Sequence, residues 1–148
     1  MPLSDFIRRV LSSGLLTPQL VYVPSSGAQS SDLSQTKLTD DLRELLEWRN
    51  GLDLDVIRVH GLGEVEPGIT PAVIHANGSL EFASDPSGFR YLLGGDGSVS
   101  SMDHDGGAIE KITDSVDSFF RMFVFGHRAV EFAGADWAHD VAECLGQA

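Results

Sequence analysis

The chain contains the residue types that most often carry out chemistry in proteins, but their spacing matches no common catalytic motif. There are 5 histidines, 1 cysteine and 22 acidic residues to supply bases, nucleophiles or metal ligands. No serine stands in a Gly-x-Ser-x-Gly turn, and no glycine precedes a lysine as in a phosphate-binding loop. Gly95 and Gly97 are followed by Ser100 where a dinucleotide-binding loop has its third glycine. We therefore expect a protein that is not an enzyme and that binds no cofactor.

Metal binding is the second chemistry that these residue types could support. The histidines have no short paired spacing of the kind that zinc ligands on one helix need: they are His60, His75, His104, His127 and His139. The run 103–106, Asp-His-Asp-Gly, has the spacing of part of a calcium loop. However, Gly107 stands at the next ligand position, and Asp114 stands where a bidentate glutamate closes such loops. We therefore predict a polar hairpin turn here and no metal site.

The single cysteine bears on the cellular compartment. Cys144 cannot form an intramolecular disulfide, and this usage fits a reducing environment. The first apolar residues lie between Asp5 and the pair Arg8-Arg9, which differs from the order of charges in a secretory signal peptide. We expect a cytoplasmic protein in which Cys144 is a packed, unreactive thiol.

The charge balance indicates the kind of partner. The chain has 10 basic and 22 acidic residues, a net charge of −12. Residues 1–38 contain three basic and two acidic residues, so the excess of acid lies in the rest of the chain. Such a surface repels phosphate backbones, which disfavours nucleic-acid binding, and it accelerates the encounter with a basic protein. The alternative is that the acidity serves only solubility.

The elements that must position these residues begin with helices. Apolar spacing predicts a short helix over residues 4–13, with Ser4 as its N-cap, and a short strand over 20–23. Residues 24–36 have the composition of a loop. A firmer helix follows Thr39 and ends before Asn50-Gly51.

From Leu54 onward the apolar pattern changes to that of strands. We predict a strand over 54–59, and a hairpin in which 72–75 and 80–83 flank Asn77-Gly78. Further strands contain Phe89, Tyr91 and Leu93 on one face, then Val99, then Ile109. Turns are predicted at 85–88, 94–97 and 103–107, so that the strands form an antiparallel meander.

Helices are predicted again at the C-terminal end. Ser115 is placed to cap a segment rich in phenylalanine, and a last helix runs from about Asp136 to Cys144. We predict a single domain over residues 1–148 of the α+β class, with a central antiparallel sheet between N- and C-terminal helices. Its longest apolar clusters, such as 122–125, are too short to cross a membrane.

An ordered set of motifs in this chain resembles the SUKH superfamily. The strand and turn 80–88 precede an aromatic strand, the Met-Asp-His-Asp run 102–105 and the segment 112–119. Upstream, 38–42 and Asn50-Gly51 are similar to that superfamily's helix and its Asn-Gly ending. The resemblance covers about residues 37–125, and Thr39 departs from it by replacing a proline.

The resemblance implies a non-enzymatic α+β domain that binds proteins. Bacterial members of the superfamily resemble antidotes that bind and neutralise a cognate polymorphic toxin, often a nuclease. We therefore expect an immunity protein that occludes a basic toxin domain. A regulatory scaffold of the type found in a yeast cell-wall-synthesis regulator is the alternative. A hydrolase with histidine and aspartate in a deep pocket is a third possibility.

The region 96–117 is where we expect the partner to bind. It holds six acidic residues and one lysine, most of them on predicted turns. The expected partner-binding residues are Asp96, Asp103, Asp105, Glu110, Asp114 and Asp117. For several of these, the alternative role is to cap a helix or to order a turn.

Overall fold

The computed structural model describes residues 1–103, 105 and 107–146. Its N-terminal third contains α1 (Leu3–Ser12), a 3-10 helix (Pro18–Leu20), α2 (Ser30–Gln35) and α3 (Asp40–Trp48). The predictions of α1 and α3 are confirmed. Two local predictions are wrong, because α2 interrupts the expected loop and the expected strand over 20–23 is reduced to one bridge between Tyr22 and Asp53.

Ser4 is not the N-cap of α1, contrary to the prediction. The helix begins at Leu3, so Ser4 lies in its first turn, and it is buried. Its backbone N–H donates to Glu44 Oε1 at 2.9 Å, and its hydroxyl donates to the other oxygen of the same carboxylate. Because a buried hydroxyl needs a hydrogen-bond partner, this pair ties α1 to α3.

A seven-stranded antiparallel sheet forms the centre of the described residues. The strands are β1 (Leu52–Asp53), β2 (Arg58–Val59), β3 (Val73–Ile74), β4 (Leu80–Ser84), β5 (Arg90–Leu93), β6 (Val99–Met102) and β7 (Ile109–Thr113). Their order is β1-β2-β4-β5-β6-β7, and β3 pairs with the first half of β4. With helices at both ends of the chain, the α+β class and the meander from β4 to β7 are confirmed.

The strand predicted over 54–59 is instead part of a tight hairpin. β1 ends at Asp53 and β2 begins at Arg58, and Asp55 between them has a φ of 68°. An extended strand cannot pass through that left-handed conformation, so the apolar run folds back on itself. Leu54 and Ile57 are nevertheless fully buried, which explains why the run looks like a core strand in the sequence.

The predicted alternation in β5 is only partly correct. Phe89 lies before the strand and is 37% exposed, whereas Tyr91, Leu92 and Leu93 are all buried. Both faces of β5 are therefore covered. This burial fits a central strand, since β5 lies between β4 and β6.

The C-terminal helices cover the sheet. They are α4 (Val116–Ser118), a π-helical segment (Phe119–Val124), α5 (Ala129–Ala133) and α6 (Ala135–Leu145). Ser115 caps α4 as predicted, since its side chain accepts a hydrogen bond from the Ser118 N–H at 3.0 Å. Phe119 and Phe120 are fully buried against Phe82 of β4, with ring centroids 5.7 and 6.5 Å from it.

The two ends of the chain meet in this structure. Arg9 of α1 donates from Nη2 to the Leu145 carbonyl at 2.6 Å, and Arg121 donates to the Met1 carbonyl. The main hydrophobic cluster likewise extends from Leu3 to Leu145. Among the described residues, no helix is long and apolar enough to cross a membrane.

Candidate partner-binding site

The six acidic residues predicted from the sequence lie along β7 and at both of its ends. Asp96 is in the β5–β6 turn, and Asp114 and Asp117 follow the last residue of β7. Asp103 and Asp105 precede β7, at the opposite end of the strand. A five-residue strand is roughly 15 Å long, so the sequence-predicted set is not one cluster. Glu110 lies on β7 itself, opposite Ser101 of β6.

The residues at the β5–β6 end are engaged in local structure. Asp96 accepts hydrogen bonds from the Ser98 hydroxyl at 2.6 Å and from the Ser98 N–H at 3.0 Å. These two bonds hold the pKa of Asp96 below its ordinary value. Lys111 forms an ion pair of 2.8 Å with Asp114, and this carboxylate raises the pKa of the lysine. The end of β7 near Asp114 therefore carries a lysine within its acidic surface.

Asp117 is also part of the fold. Its side chain accepts a hydrogen bond from Arg121 Nε at 2.8 Å, one helical turn later. Its backbone N–H donates to Asp41 Oδ2 at 2.8 Å, and so it links the start of α4 to the start of α3. The alternative of a structural role thus has direct support for Asp96 and Asp117, although both carboxylates keep access to solvent.

A different environment surrounds Glu110. A cavity of about 300 Å³ lies there between the sheet and the helices, which we call the aromatic groove. It is lined by Asp85, Ser87, Phe89, Tyr91, Ser101, Glu110, Ile112, Phe123, Glu131 and Phe132. Asp103 and Asp105 lie at the same end of the sheet as its Asp85–Ser87 side, because the β4–β5 and β6–β7 connections share that end.

Strand register explains how residues distant in sequence form one wall of the groove. Tyr91 of β5 pairs with Ser101 of β6, and Ser101 pairs with Glu110 of β7. Residues directly opposite in neighbouring strands project to the same face of a sheet. The three side chains therefore form one row. The opposite wall comes from the π-helical segment and α5, which supply Phe123, Glu131 and Phe132.

The aromatic rings of the groove are fixed by packing. Phe123 stacks on the buried Phe119 at 5.8 Å and meets Phe132 edge-on at 5.5 Å between ring centroids. The ring centroids of Tyr91 and Phe119 are 4.8 Å apart. Burial, followed by the nearby Asp85 carboxylate, raises the pKa of Tyr91 above its ordinary value. The phenol therefore stays protonated, and it donates a hydrogen bond to Asp85 Oδ2 at 2.8 Å.

The three carboxylates of the groove differ in the hydrogen bonds and ion pairs that they already form. Asp85 accepts from Tyr91 and from the N–H groups of Ser87 and Phe89, so it organises the β4–β5 turn. Glu131 pairs with Arg128 through both of its oxygens, at 2.9 and 3.1 Å. Within the described part of the chain, the side chain of Glu110 has no hydrogen-bond or ion-pair partner, and the residue is exposed. Glu110 is therefore the carboxylate that a partner could bind.

Arg128 contacts three of the residues that line the groove. Besides pairing with Glu131, its Nη1 donates to the Ile112 carbonyl of β7 at 2.8 Å. Its guanidinium carbon lies 5.3 Å from the centre of the Phe123 ring. The same side chain also borders a second cavity, of about 280 Å³, that includes Lys111, Asp114 and Met122. Arg128 thus joins β7, the π-helical segment and α5.

The sequence did not reveal this groove. The spacing of Phe119, Phe120, Phe123 and Val124 suits an ordinary helix, whereas the structure has a π-helical segment there. Gly126 follows it closely enough that a Cβ would lie 1.9 Å from the Arg121 carbonyl oxygen. This close approach requires glycine, and two residues later the side chain of Arg128 contacts β7. The spacing of three residues between Arg128 and Glu131 is a sequence signal from which this ion pair could have been predicted.

The structure also brings together two histidines that are separate in sequence. His60 is 1% exposed, with Nδ1 3.2 Å from the Glu81 carbonyl oxygen and Nε2 2.8 Å from the Ser84 hydroxyl. Burial lowers the pKa of His60, so the neutral ring donates from Nδ1 and accepts at Nε2. His75 Nε2 lies 3.1 Å from Glu81 Oε1. Both nitrogens of the buried ring are thus satisfied within the fold.

Neither a metal centre nor a histidine-lined pocket emerges from the part of the chain that is described. No group of three or more His, Cys, Asp or Glu residues in that part could hold a metal ion. Five cavities of about 190 to 460 Å³ indent its surface, and none of these five is lined by a histidine. His104, and with it part of the run 103–106, lies outside the described residues. The prediction of a packed Cys144 is wrong, because its position on α6 leaves it exposed.

Comparisons of the chain with protein-family models, with curated proteins and with solved structures found no match. The SUKH resemblance therefore remains a prediction from the motifs.

Proposed function

We propose that this protein is a non-enzymatic binding protein that neutralises a basic partner, as an immunity protein occludes a bacterial toxin domain such as a nuclease. The observation that carries the proposal is the aromatic groove, in which Glu110 lies without a partner in the described chain beside four aromatic rings. The net charge of −12 gives independent support.

In a protein interface, different groups commonly determine the association rate and the affinity. Distributed charge of opposite sign steers two proteins together and raises the association rate. A few buried aromatic and charged contacts then supply most of the affinity. Here the acidic surface around β7 would provide steering, and the aromatic groove would provide the central contact. Rings held by packing lose little conformational freedom when a partner binds.

The expected mode of action is occlusion of the target. An inhibitor of this kind needs to cover a functional surface of its target, and it needs no catalytic group of its own. A regulatory scaffold would use the same groove with a cellular signalling protein as its partner. The two functions differ in the identity of the partner and in whether binding protects cells.

The test begins with the tagged full chain in its native cells. Partners are captured at low and moderate salt and identified by mass spectrometry. A stoichiometric basic toxin domain is expected, and co-expression of the full chain should protect cells from it. Recovery of regulatory proteins alone would support the scaffold, and failure of co-expression to protect would reject the immunity function.

A matched pair of variants connects the function to the groove. Glu110→Gln removes one charge from the groove, and Glu47→Gln removes one charge from the exposed surface of α3. We expect Glu110→Gln to weaken binding of the captured toxin about tenfold or more, since it removes a charged hydrogen-bond acceptor from the interface. Glu47→Gln should change the Kd by less than about twofold. Equal effects would indicate that only net charge matters.

A further inference from the structure

We propose that the aromatic groove receives one arginine side chain of the partner and prefers arginine to lysine. This inference rests on the proposed function, since it specifies which chemical group of a basic protein enters the site. Three observations support it: the pairing of rings with an unoccupied carboxylate, the size of the groove, and the contacts of Arg128 with residues that line the groove.

The first observation concerns complementarity. Phe89, Phe123 and Phe132 present apolar surface in the groove, and Glu110 adds a negative charge to it. A guanidinium can lie flat on a ring and still direct its N–H groups to a carboxylate at the ring's edge. An ammonium group is a compact, strongly hydrated charge that loses more hydration in such a place.

The second observation is the volume of the groove. A cavity of about 300 Å³ is at the lower limit of the usual range of ligand sites, about 300 to 1,000 Å³. It suits one long side chain better than a large ligand. An anchor side chain that fills a pocket near the centre of an interface is the common form of a binding hot spot, and arginine is enriched among such anchors.

The third observation is that Arg128 already stacks on one ring of the groove and pairs with one of its carboxylates. Its guanidinium lies 5.3 Å from the Phe123 ring centre and pairs with both oxygens of Glu131. A bidentate arginine–carboxylate pair over an aromatic ring is therefore already compatible with this wall. A second guanidinium from a partner would meet Glu110 across the groove, where the described residues leave the carboxylate unpaired.

Addition of a partner strand to β7 is a less suitable mode of binding. The register shifts between Val99 and Ser100, so Ile112 is an extra residue on β7, and its carbonyl already accepts from Arg128. Bulges and charged side chains of this kind block the pairing of edge strands. Contact through a side chain that enters the groove avoids this obstacle.

The experiment uses three blocked tripeptides, acetyl-Gly-X-Gly-amide, with X as arginine, lysine or citrulline. Binding to the full chain is followed by NMR on phenylalanine rings, with Phe123 and Phe132 as reporters. We expect weak binding of the arginine peptide, on the order of millimolar, because one side chain makes few contacts. The lysine peptide should bind several-fold more weakly, and the uncharged citrulline peptide should not saturate.

The variants make the outcome specific. Glu110→Gln should weaken the arginine peptide about tenfold, whereas Glu47→Gln should leave its Kd unchanged. Unchanged amide spectra would show that each variant is folded. Equal Kd values for arginine and lysine, binding that ignores Glu110, or no saturation by any peptide would each overturn the inference.

The peptide result is independent of the toxin. A captured toxin that binds while the peptides show no preference would reject the arginine inference and leave the proposed function standing. A clear arginine preference without a toxin partner would reject the immunity function instead.

Discussion

The replacement of Arg128 by methionine tests the structural argument for the groove most directly. In the native protein Arg128 donates to the Ile112 carbonyl at 2.8 Å, pairs with Glu131 and lies over Phe123. Methionine has an unbranched apolar side chain that matches arginine as far as Nε, so it replaces the aliphatic stem without introducing a polar group. The substitution therefore removes the polar contacts with little change in packing.

The expected loss of stability comes mainly from the bond to Ile112. A hydrogen bond from a charged group contributes about 1.5 to 3 kcal/mol when it is buried, and the Arg128 side chain is 29% exposed. We therefore expect Arg128→Met to lower the free energy of unfolding by about 1 to 2 kcal/mol. The pair with Glu131 adds little, because the Glu131 side chain is 52% exposed and solvent screens the interaction.

Urea unfolding of the full chain measures this loss, and Arg8→Met is the matched control. Arg8 also forms an ion pair three residues away, with Asp5, and lies 4.9 Å from the Trp48 ring centre. It has no bond to a strand carbonyl in the described residues, so its replacement should cost no more than about 0.5 kcal/mol. Equal losses for the two variants would refute the assignment of the stabilisation to the Ile112 carbonyl.

Three further predictions concern other contacts. The pKa of His60 is lower in the folded protein than in the unfolded chain, so below about pH 6.5 the unfolded chain binds the proton more readily. The contribution of neutral His60 to the free energy of unfolding is therefore full above that pH, and it declines below it by up to about 1.4 kcal/mol per pH unit. Urea titrations from pH 7 to 5 should show a shallower decline in His60→Gln than in the exposed control His139→Gln. Gly126→Ala should lower the free energy of unfolding by about 1 to 3 kcal/mol, because the added Cβ clashes with the backbone. Gly107→Ala is the control and should lower it much less, because a Cβ there meets nothing within 4 Å; thermal unfolding of the two variants measures the difference. Ser115→Ala should lower the free energy of unfolding by about 1 kcal/mol in the same assay, and no loss would contradict the cap.

The turns were the most predictable part of the fold. Asn77-Gly78, Asp85–Gly88 and Gly94–Gly97 each form the predicted turn, with glycine at a positive φ in all three. These turns depend on backbone conformations that few residues other than glycine adopt, so the local sequence is sufficient. The helix cap at Ser115 is local in the same way.

The errors arose where contacts distant in sequence decide the structure. Ser4 bonds to Glu44 of another helix instead of capping its own. The reversal at Asp55 is a local exception, since a non-glycine residue there adopts a left-handed conformation that its type does not demand. The site follows the same rule. Glu110 was identified from acidity alone, but its aromatic neighbours come from β5, the π-helical segment and α5, which only the folded chain brings together.

The contact between the chain ends has a consequence for the order of folding. The bond from Arg9 to the Leu145 carbonyl joins residues 136 positions apart, whereas β4 to β7 pair with their neighbours in sequence. Closing a long loop costs more chain entropy than closing a hairpin, and distant contacts form late for that reason. We expect the meander to gain protection first in pulsed hydrogen exchange and α1 to dock onto α6 last. Docking of the N-terminal helix would then be the step that completes the folded structure.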